Sequence, residues 1–325
     1  MTHLPEFSDI VAASEIIKGV ALRTPLVNSP ILDDRLGAQI FFKPECLQRT
    51  GSFKFRGAYN AVSSLPPEAK SQGIVACSSG NHAQGVAEAA RLLGYKATII
   101  MPEDAPELKK QRTARSGATI IEYDRYTVDR EKLTEEYAAE TDAFLIHPFE
   151  NFHVVAGQGT VGLEACADIA SMGLKADHFL VCAGGGGLMA GITLAAQHYF
   201  PETSIHPVEP EGHDDQRRSH LAGERLGGNS KGASLCDAIL TPMPGELSFA
   251  ICKGLLGEGL LVSDQEALDA VAFAFNELKL VVEPGGAVTL AALLSGKLDV
   301  KNRTVLATLS GGNIDAPVMA RALGV

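Results

Sequence analysis

Short apolar runs alternate with longer amphipathic ones along the whole chain. FSDIVAASEIIKGV carries apolar residues at helical spacing and opens on Ser8 or Asp9 as a candidate N-cap. AQIFFKPE reads as a strand closed by Pro44, and FRGAYNAVSSL as a helix. GIVACSS predicts a buried strand, and NHAQGVAEAARLLG an alanine-rich helix stopped by Gly94. The rhythm continues as strand KATIIMP, helix APELKKQRTARSG, strand ATIIEYD, helix DREKLTEEYAAET and strand AFLIHPF. After residue 151 it resumes as helix GQGTVGLEACADIASMG, strand DHFLVCA, helix GLMAGITLAAQHYF and strand SIHPVEP. Ser263 and Glu266 form a capping box that opens a helix through SDQEALDAVAFAFNEL. GGAVTLAALLSG is a further helix and RTVLATL the last strand. Strands that alternate with helices and are apolar on both faces predict an α/β fold with parallel sheets. Residues 211–248 break the pattern: they are polar, rich in Gly and Pro and poor in strand signals. They predict a long ordered excursion beside a site rather than a linker.

Three strands end in the same way. IVACSSGNHAQG, FLVCAGGGGLMAG and VLATLSGGNIDAP each run from a strand through a glycine turn into a helix. In an open parallel sheet the strand C-termini share one edge, and ligands bind in the crevice along it. Gly184 to Gly187 form the sharpest of these turns. Four consecutive glycines cost backbone entropy, which makes sense where backbone wraps a ligand without Cβ atoms in the way. A phosphate on their N–H groups, at the start of the helix near Leu188, accounts for them. Gly185, Gly187 and Ala190 also satisfy G-x-G-x-x-A, with Glu202 and Glu209 downstream as ribose-binding acids of a nicotinamide dinucleotide enzyme. That reading leaves the other two turns without a use.

It also leaves Lys54 without one. This lysine stands between Phe53 and Phe55, with Gly51 and Gly57 on either side. A lysine held in apolar, partly dry surroundings loses its preference for the charged form, and its amine becomes nucleophilic.

Composition narrows the field. The chain has 325 residues, enough for one or two domains. A net charge of −11 argues against nucleic acid and anionic membranes as partners, but leaves room for a small anion in a local nest. The six cysteines make no C-x-x-C pair and predict reduced core thiols of a cytoplasmic protein. MTHLPEFSDI has neither a basic nor an apolar leader region, so no signal peptide is expected, and no apolar run approaches the ~20 residues of a membrane span.

SFKFRGAYNA, SSGNHAQGVA, GGGGLMAGI and SGGN, in this order and at these separations, resemble the fold-type II pyridoxal-phosphate enzymes. The closest resemblance is to the serine/threonine dehydratase and serine racemase group, and it covers nearly the whole chain. It implies a two-domain α/β architecture like that of tryptophan synthase β, each domain an open, mostly parallel twisted sheet flanked by helices. Residues 1–70 and 151–325 would form the large cofactor-binding domain. Residues 71–150 would form a small mobile domain carrying the Ser-Ser-Gly-Asn-His loop.

The resemblance also assigns roles. Lys54 would hold pyridoxal 5'-phosphate as a Schiff base and act as the base at the α-carbon, with Phe53 against the cofactor ring. Gly184, Gly185, Gly186 and Gly187, with Leu188, would cradle the phosphate. Asn81 would bond the phenolic oxygen, Glu283 would belong to the cofactor site, and Ser310 would face the pyridine nitrogen. A hydroxyl there cannot stabilise a pyridinium as a carboxylate would, which favours β-elimination over transamination. Ser78, Ser79, Gly80, Asn81 and His82 would grip the substrate carboxylate, and Ser79 is where a racemase carries its second acid/base. Glu209 and Asp215, with the His213 carbonyl, would bind Mg²⁺, Mn²⁺ or Ca²⁺.

The implied activity is an ammonia-lyase that converts L-threonine, L-serine or a related 3-hydroxy amino acid to a 2-oxo acid and ammonia, as a cytoplasmic homodimer. Serine racemisation, a dehydratase specific for 3-hydroxyaspartate or phenylserine, the dinucleotide oxidoreductase and a non-catalytic small-ligand binder stand as alternatives. Two stretches depart from the family's habit. Cys236-Asp237-Ala238 stands where the family often reads Ala-Asp-Gly, and Glu150 follows Pro148-Phe149 where it often has Asp. Both are expected to border the substrate. The chain ends soon after its last strand, so no C-terminal regulatory domain and no feedback control by isoleucine are expected.

Overall fold

A computed structural model describes residues 3–105, 107–124, 126–228 and 232–325. Its strands are β1 (Val27–Asn28), β2 (Gln39–Pro44), β3 (Ile74–Cys77), β4 (Ala97–Pro102), β5 (Thr119–Tyr123), β6 (Phe144–Leu145), β7 (His178–Cys182), β8 (Ser204–Pro210), β9 (Leu260–Val262) and β10 (Thr304–Leu309). They form two sheets. The larger runs β1-β2-β10-β7-β8-β9 and is parallel except for β1. The smaller runs β5-β4-β3-β6 and is wholly parallel. The apolar runs read from the sequence explain this arrangement: every residue of β10 is buried, as a strand covered by helices on both faces requires.

Helices pack closely because their contact faces are small. Phe152–Ser171 crosses Gly187–Tyr199 at Gly159 and Gly191, where a Cβ on Gly191 would lie 2.5 Å from the Gly159 Cα. The same long helix meets the Lys54–Ser63 helix at Gly157 and Gly57, where a Cβ on Gly157 would lie 2.8 Å from the Gly57 Cα. The other face of the Lys54–Ser63 helix puts Phe55, Ala58, Ala61 and Val62 into the core under the smaller sheet. Burying a side chain the size of Phe55 or Val62 contributes about 1.5–3 kcal/mol. The helix that begins at Lys54 is thus held between both halves of the molecule.

A buried ionic quartet fixes it further. The Arg56 guanidinium donates to both oxygens of Glu45, at 2.8 Å each, and to Glu164 at 2.7 and 2.9 Å. Lys43 completes the set with 2.6 Å bonds to Glu164 and to the Thr24 carbonyl. Arg56, Lys43 and Glu45 are fully buried. Burial alone would push Glu164 up, but Arg56 and Lys43 more than reverse this and hold it below the usual carboxylate range.

Some expectations need correction. The first helix is Phe7–Ile17 with Glu6 as N-cap; Asp9 acts from inside, accepting the Glu6 N–H at 2.8 Å. The helix expected from residue 157 begins at Phe152, because the Asn151 side chain caps it at the Val154 N–H. The strand expected over AFLIHPF is only β6; the chain leaves the sheet at His147 to enter the site. The helix opened by Ser263 and Glu266 becomes a π-helix over Ala274–Leu278 and ends at Lys279 with φ 58°. Within the polar excursion, Asp215–Ala222 and Glu246–Cys252 are helical. No helix among the described residues is long and apolar enough to cross a membrane.

Candidate active site

The two sheets face a cavity of ≈ 280 Å³. The turn before the Lys54–Ser63 helix, the turns after β3, β7 and β10, and the excursion at 237–241 all line it. The three glycine turns and the lysine therefore meet in one place.

Lys54 is the first residue of its helix. The turn before it is pinned to the turn after β10. The Phe53 N–H donates to the Ser310 carbonyl at 3.1 Å, and the Gly312 N–H to the Gly51 carbonyl at 2.9 Å. Lys54 Nζ donates to the Pro148 carbonyl at 3.1 Å and lies 5.2 Å from the centre of the Phe53 ring. The side chain borders the open cavity, yet protein surrounds it. Burial without a facing carboxylate lowers its pKa from 10.5 to about 8. A substantial part of the amine is then neutral near physiological pH, which a nucleophile needs.

Gly184–Gly187 connects β7 to the Gly187–Tyr199 helix, and no side chain caps that helix at its N-cap, Gly186. A helix start leaves its first N–H groups without intrahelical acceptors. Here they border the cavity, so the site fits an anionic phosphate. The glycines meet a second demand that the sequence reading did not see. A Cβ on Gly185 would lie 2.3 Å from the Phe149 ring, and one on Gly187 2.7 Å from Gln158 Oε1. Gly186 has φ 92°, in the left-handed region that a Cβ disfavours. Protein packing as well as ligand access thus excludes side chains. Gln158 Oε1 is buried with no hydrogen-bond partner, an orphaned acceptor beside this turn.

Ser310 is 4% exposed and its N–H donates to the Gly286 carbonyl at 3.2 Å. Asn81 opens the Asn81–Leu93 helix after the Ser78–Gly80 turn. Its Nδ2 donates to Glu283 at 2.6 Å and its Oδ1 accepts from Asn313 at 2.7 Å, so one amide N–H remains for another acceptor. Burial raises the Glu283 carboxyl to about 7, with the Asn81 bond opposing. His82 lines the cavity, but its Nε2 faces the Ile146 carbonyl at 2.8 Å and its Nδ1 is buried without a partner. Burial, then the Lys54 charge, lowers it to about 3. It is a neutral ring whose N–H is committed to Ile146, which leaves Ser79, the Ser78 hydroxyl proton and the helix-start backbone as polar groups of this wall, while the Gly80 N–H donates to Ser78 Oγ at 3.2 Å.

The acids of the excursion sit apart from the cavity. Both oxygens of Glu209, at the end of β8, accept N–H groups of the Asp215–Ala222 helix, from Gln216 and Arg217, at 2.8 Å each. Glu209 does not line the cavity that holds the glycine turn, which removes the support for a dinucleotide there. Asp215 opens that helix, and its Oδ2 is buried without a partner. Burial, then the Asp215 charge, raises Glu209 to about 8; burial raises Asp215 to about 7. His213 is buried beside them. Among the described residues no cluster of three or more His, Cys, Asp or Glu side chains is arranged to hold a metal.

Sequence reasoning placed Glu150 near the substrate but missed what the His147–Glu150 loop does. The loop supplies the Lys54 acceptor at Pro148 and the Phe149 ring under Gly185, while His147 Nδ1 accepts the Glu150 N–H at 2.8 Å. The proline in HPFE was the available signal, but the apolar run before it read as strand. Also missed was the pairing of Lys109 with Asp237, at 2.8 Å on the cavity wall.

A family model described as pyridoxal-phosphate dependent enzyme matches residues 17–311. An L-threo-3-hydroxyaspartate ammonia-lyase of Saccharomyces cerevisiae is 44% identical over 96% of this chain and 94% of its own. A serine racemase of Schizosaccharomyces pombe is 39% identical over 96% of this chain and 95% of its own. The crystal structure of the T.th. threonine deaminase superposes with a TM-score of 0.89, at 41% identity, over 96% of this chain and 99% of that one.

Proposed function

We propose that this chain, which belongs to the pyridoxal-phosphate dependent enzyme family, is an ammonia-lyase acting on β-hydroxy L-amino acids by α,β-elimination. One observation carries the reading: the Lys54 amine, lowered to about 8, shares a cavity with an uncapped glycine-rich helix start and with Ser310. Lys54 is the amine to join the cofactor aldehyde, the Gly184–Gly187 turn and Leu188 the seat of its phosphate, and Phe53, Asn81, Glu283 and Ser310 the surround of its ring. Bound there, pyridoxal phosphate supplies the electron sink that makes the substrate α-proton labile and lets the β-hydroxyl depart.

The protein groups do the rest. Ser78, Ser79, Gly80 and the start of the Asn81–Leu93 helix hold the substrate carboxylate, fixing the α-proton toward Lys54. The Lys54 amine takes that proton, and its lowered pKa leaves a larger share of it unprotonated near neutral pH than an ordinary lysine would have. The enamine product hydrolyses to a 2-oxo acid and ammonia. Residues 71–150 form a small domain that closes over the substrate, with the smaller sheet as its body. Ser79 on the same cavity wall supports serine racemisation as a second reading, since a hydroxyl there can carry a proton to the other face. L-Threonine and L-serine are the starting substrates, and 3-hydroxyaspartate and phenylserine are the others to test. A panel of these assayed for 2-oxo acid, with chiral analysis of residual serine, decides. No 2-oxo acid from any of them ends the proposal, and D-serine without 2-oxo acid selects the racemase.

Glu209, Asp215 and the His213 carbonyl form a site for a divalent cation, supported by the unpartnered, buried Asp215 Oδ2. A cation would remove the mutual repulsion of two raised carboxylates. Saturating Mg²⁺ is expected to raise Tm, because a ligand of the folded state alone stabilises it. Glu209→Gln should abolish that rise, and a Tm indifferent to Mg²⁺, Mn²⁺ and Ca²⁺ would refute the site. The protein is proposed to act in the cytoplasm as a homodimer. Exposed Leu22 and Leu47, joined through the bond from the Leu22 N–H to Gln48, offer an apolar face for a second copy.

A further inference from the structure

Two residues on the cavity wall have no part in the chemistry described so far. Lys109, on the Glu107–Arg115 helix beside the smaller sheet, donates from Nζ to Asp237 Oδ2 at 2.8 Å. Asp237 belongs to a short turn, Asp237–Ile239, of the excursion that follows the larger sheet's β8. The pair therefore bridges the cleft, 128 residues apart in sequence. Its partners are unequal. The Lys109 side chain is 9% exposed and that of Asp237 58%.

This inequality decides what the pair can do. A nearly buried ammonium cannot stand without an anion, because the desolvation of an unpaired charge is costly. An aspartate that is more than half exposed can return to water at little cost. Asp237 can thus keep Lys109 paired while the cavity lacks another anion, and release it when one arrives. Burial opposes the charge on Lys109, but Asp237, with smaller help from Glu283 and Asp315, more than offsets this and holds it above the usual lysine range.

We propose that Lys109 determines specificity, accepting the second carboxylate of a dicarboxylic β-hydroxy amino acid in exchange for Asp237. The inference rests on the ammonia-lyase reading and deepens it by naming the substrate class. A substrate with one carboxylate spends it on the Ser78–Gly80 turn and leaves the Lys109–Asp237 bridge intact. A substrate with two places the second on Lys109, and the bridge across the cleft then runs through the substrate itself. Glu131 and Glu135 line the same cavity and repel a dianion elsewhere on that wall. Arg130 also lines it, but its side chain is 52% exposed and 4.0 Å from Glu131. A hydrated guanidinium gains less from a new carboxylate than a dry ammonium does.

The test compares kcat/KM for L-threo-3-hydroxyaspartate and L-serine in the cofactor-loaded enzyme and in Lys109→Met, Asp237→Asn and Arg130→Met. Lys109→Met is expected to lower the hydroxyaspartate-to-serine ratio about ten- to hundredfold, the worth of one charge-assisted bond. Asp237→Asn removes the competing anion and is expected to raise that ratio, chiefly through a lower KM for hydroxyaspartate. The second variant alters an exposed side chain, so it reports even where Lys109→Met does not fold. An unchanged ratio in a folded Lys109→Met, or in Asp237→Asn, overturns the proposal. So does a ratio that falls in Arg130→Met instead, or a parent enzyme that consumes serine and ignores hydroxyaspartate. A parent enzyme that forms 2-oxo acid from neither substrate overturns the ammonia-lyase reading, and this inference with it.

Discussion

Lys54→Ala is expected to leave a folded protein that forms no measurable 2-oxo acid, with kcat lowered by about ten-thousandfold. The change removes the group proposed both to take the α-proton and to hold the cofactor, so two functions fall together. Its cost to the fold is small. Lys54 Nζ makes one hydrogen bond, to Pro148, and its charged form is already disfavoured by burial. Treating the cofactor-loaded parent with borohydride should fix the cofactor to the chain, and mass spectrometry should find it on the peptide that contains residue 54. Lys54→Ala should show no such adduct. Fixation at another lysine, or substantial activity in the variant, would remove Lys54 from its role. The pH dependence has a definite sign. The amine is protonated and unreactive below its pKa, so capture of the cofactor by apo-protein should accelerate about tenfold per pH unit and level off above pH about 8.

Arg56→Ala is expected to be the most damaging substitution for stability, at about 3–5 kcal/mol, with Tm lower by roughly 10 °C. The loss leaves Glu45 and Glu164 buried with Lys43 as the remaining cation, and it frees the Lys54–Ser63 helix from its anchor. Thermal denaturation checks this; a variant as stable as the parent would show that the quartet adds nothing. Arg56→Lys keeps the charge but loses the two-pronged geometry, and should recover only part of the loss. Acid acts on the same quartet. Because Glu164 is held below its ordinary pKa, its contribution is full at neutral pH and is lost as pH falls through that lowered value.

Much of this molecule could be read from local sequence. The strand and helix rhythm emerges from periodicity, which needs only neighbours along the chain. The grouping of the tetraglycine turn and Ser310 was legible because each follows a strand end, and parallel strands put their ends on one edge; Lys54 opens a helix beyond two short turns after β2, and only the family resemblance tied it to them. What stayed hidden depends on partners distant in sequence. Arg56 reads as an ordinary basic residue until Glu45 and Glu164 arrive from the turn after β2 and from another helix. The Lys109–Asp237 bridge has no signature on either side of its gap. Glu209 looked like a ribose ligand because it ends a strand at a suitable distance, and only its place outside the cavity shows otherwise. The π-helix at Ala274–Leu278 follows a sequence with unbroken helical spacing.

The place of β10 between β2 and β7 bears on how the protein is made. A ribosome delivers β2 early and β10 after every other described strand, so the middle of the larger sheet stays open until all of those have been made. The turn that carries Lys54 gains its fastening to Ser310 and Gly312 only then. A nascent chain can complete the smaller sheet well before this point, but it cannot present a finished cofactor seat until residue 312 has left the exit tunnel.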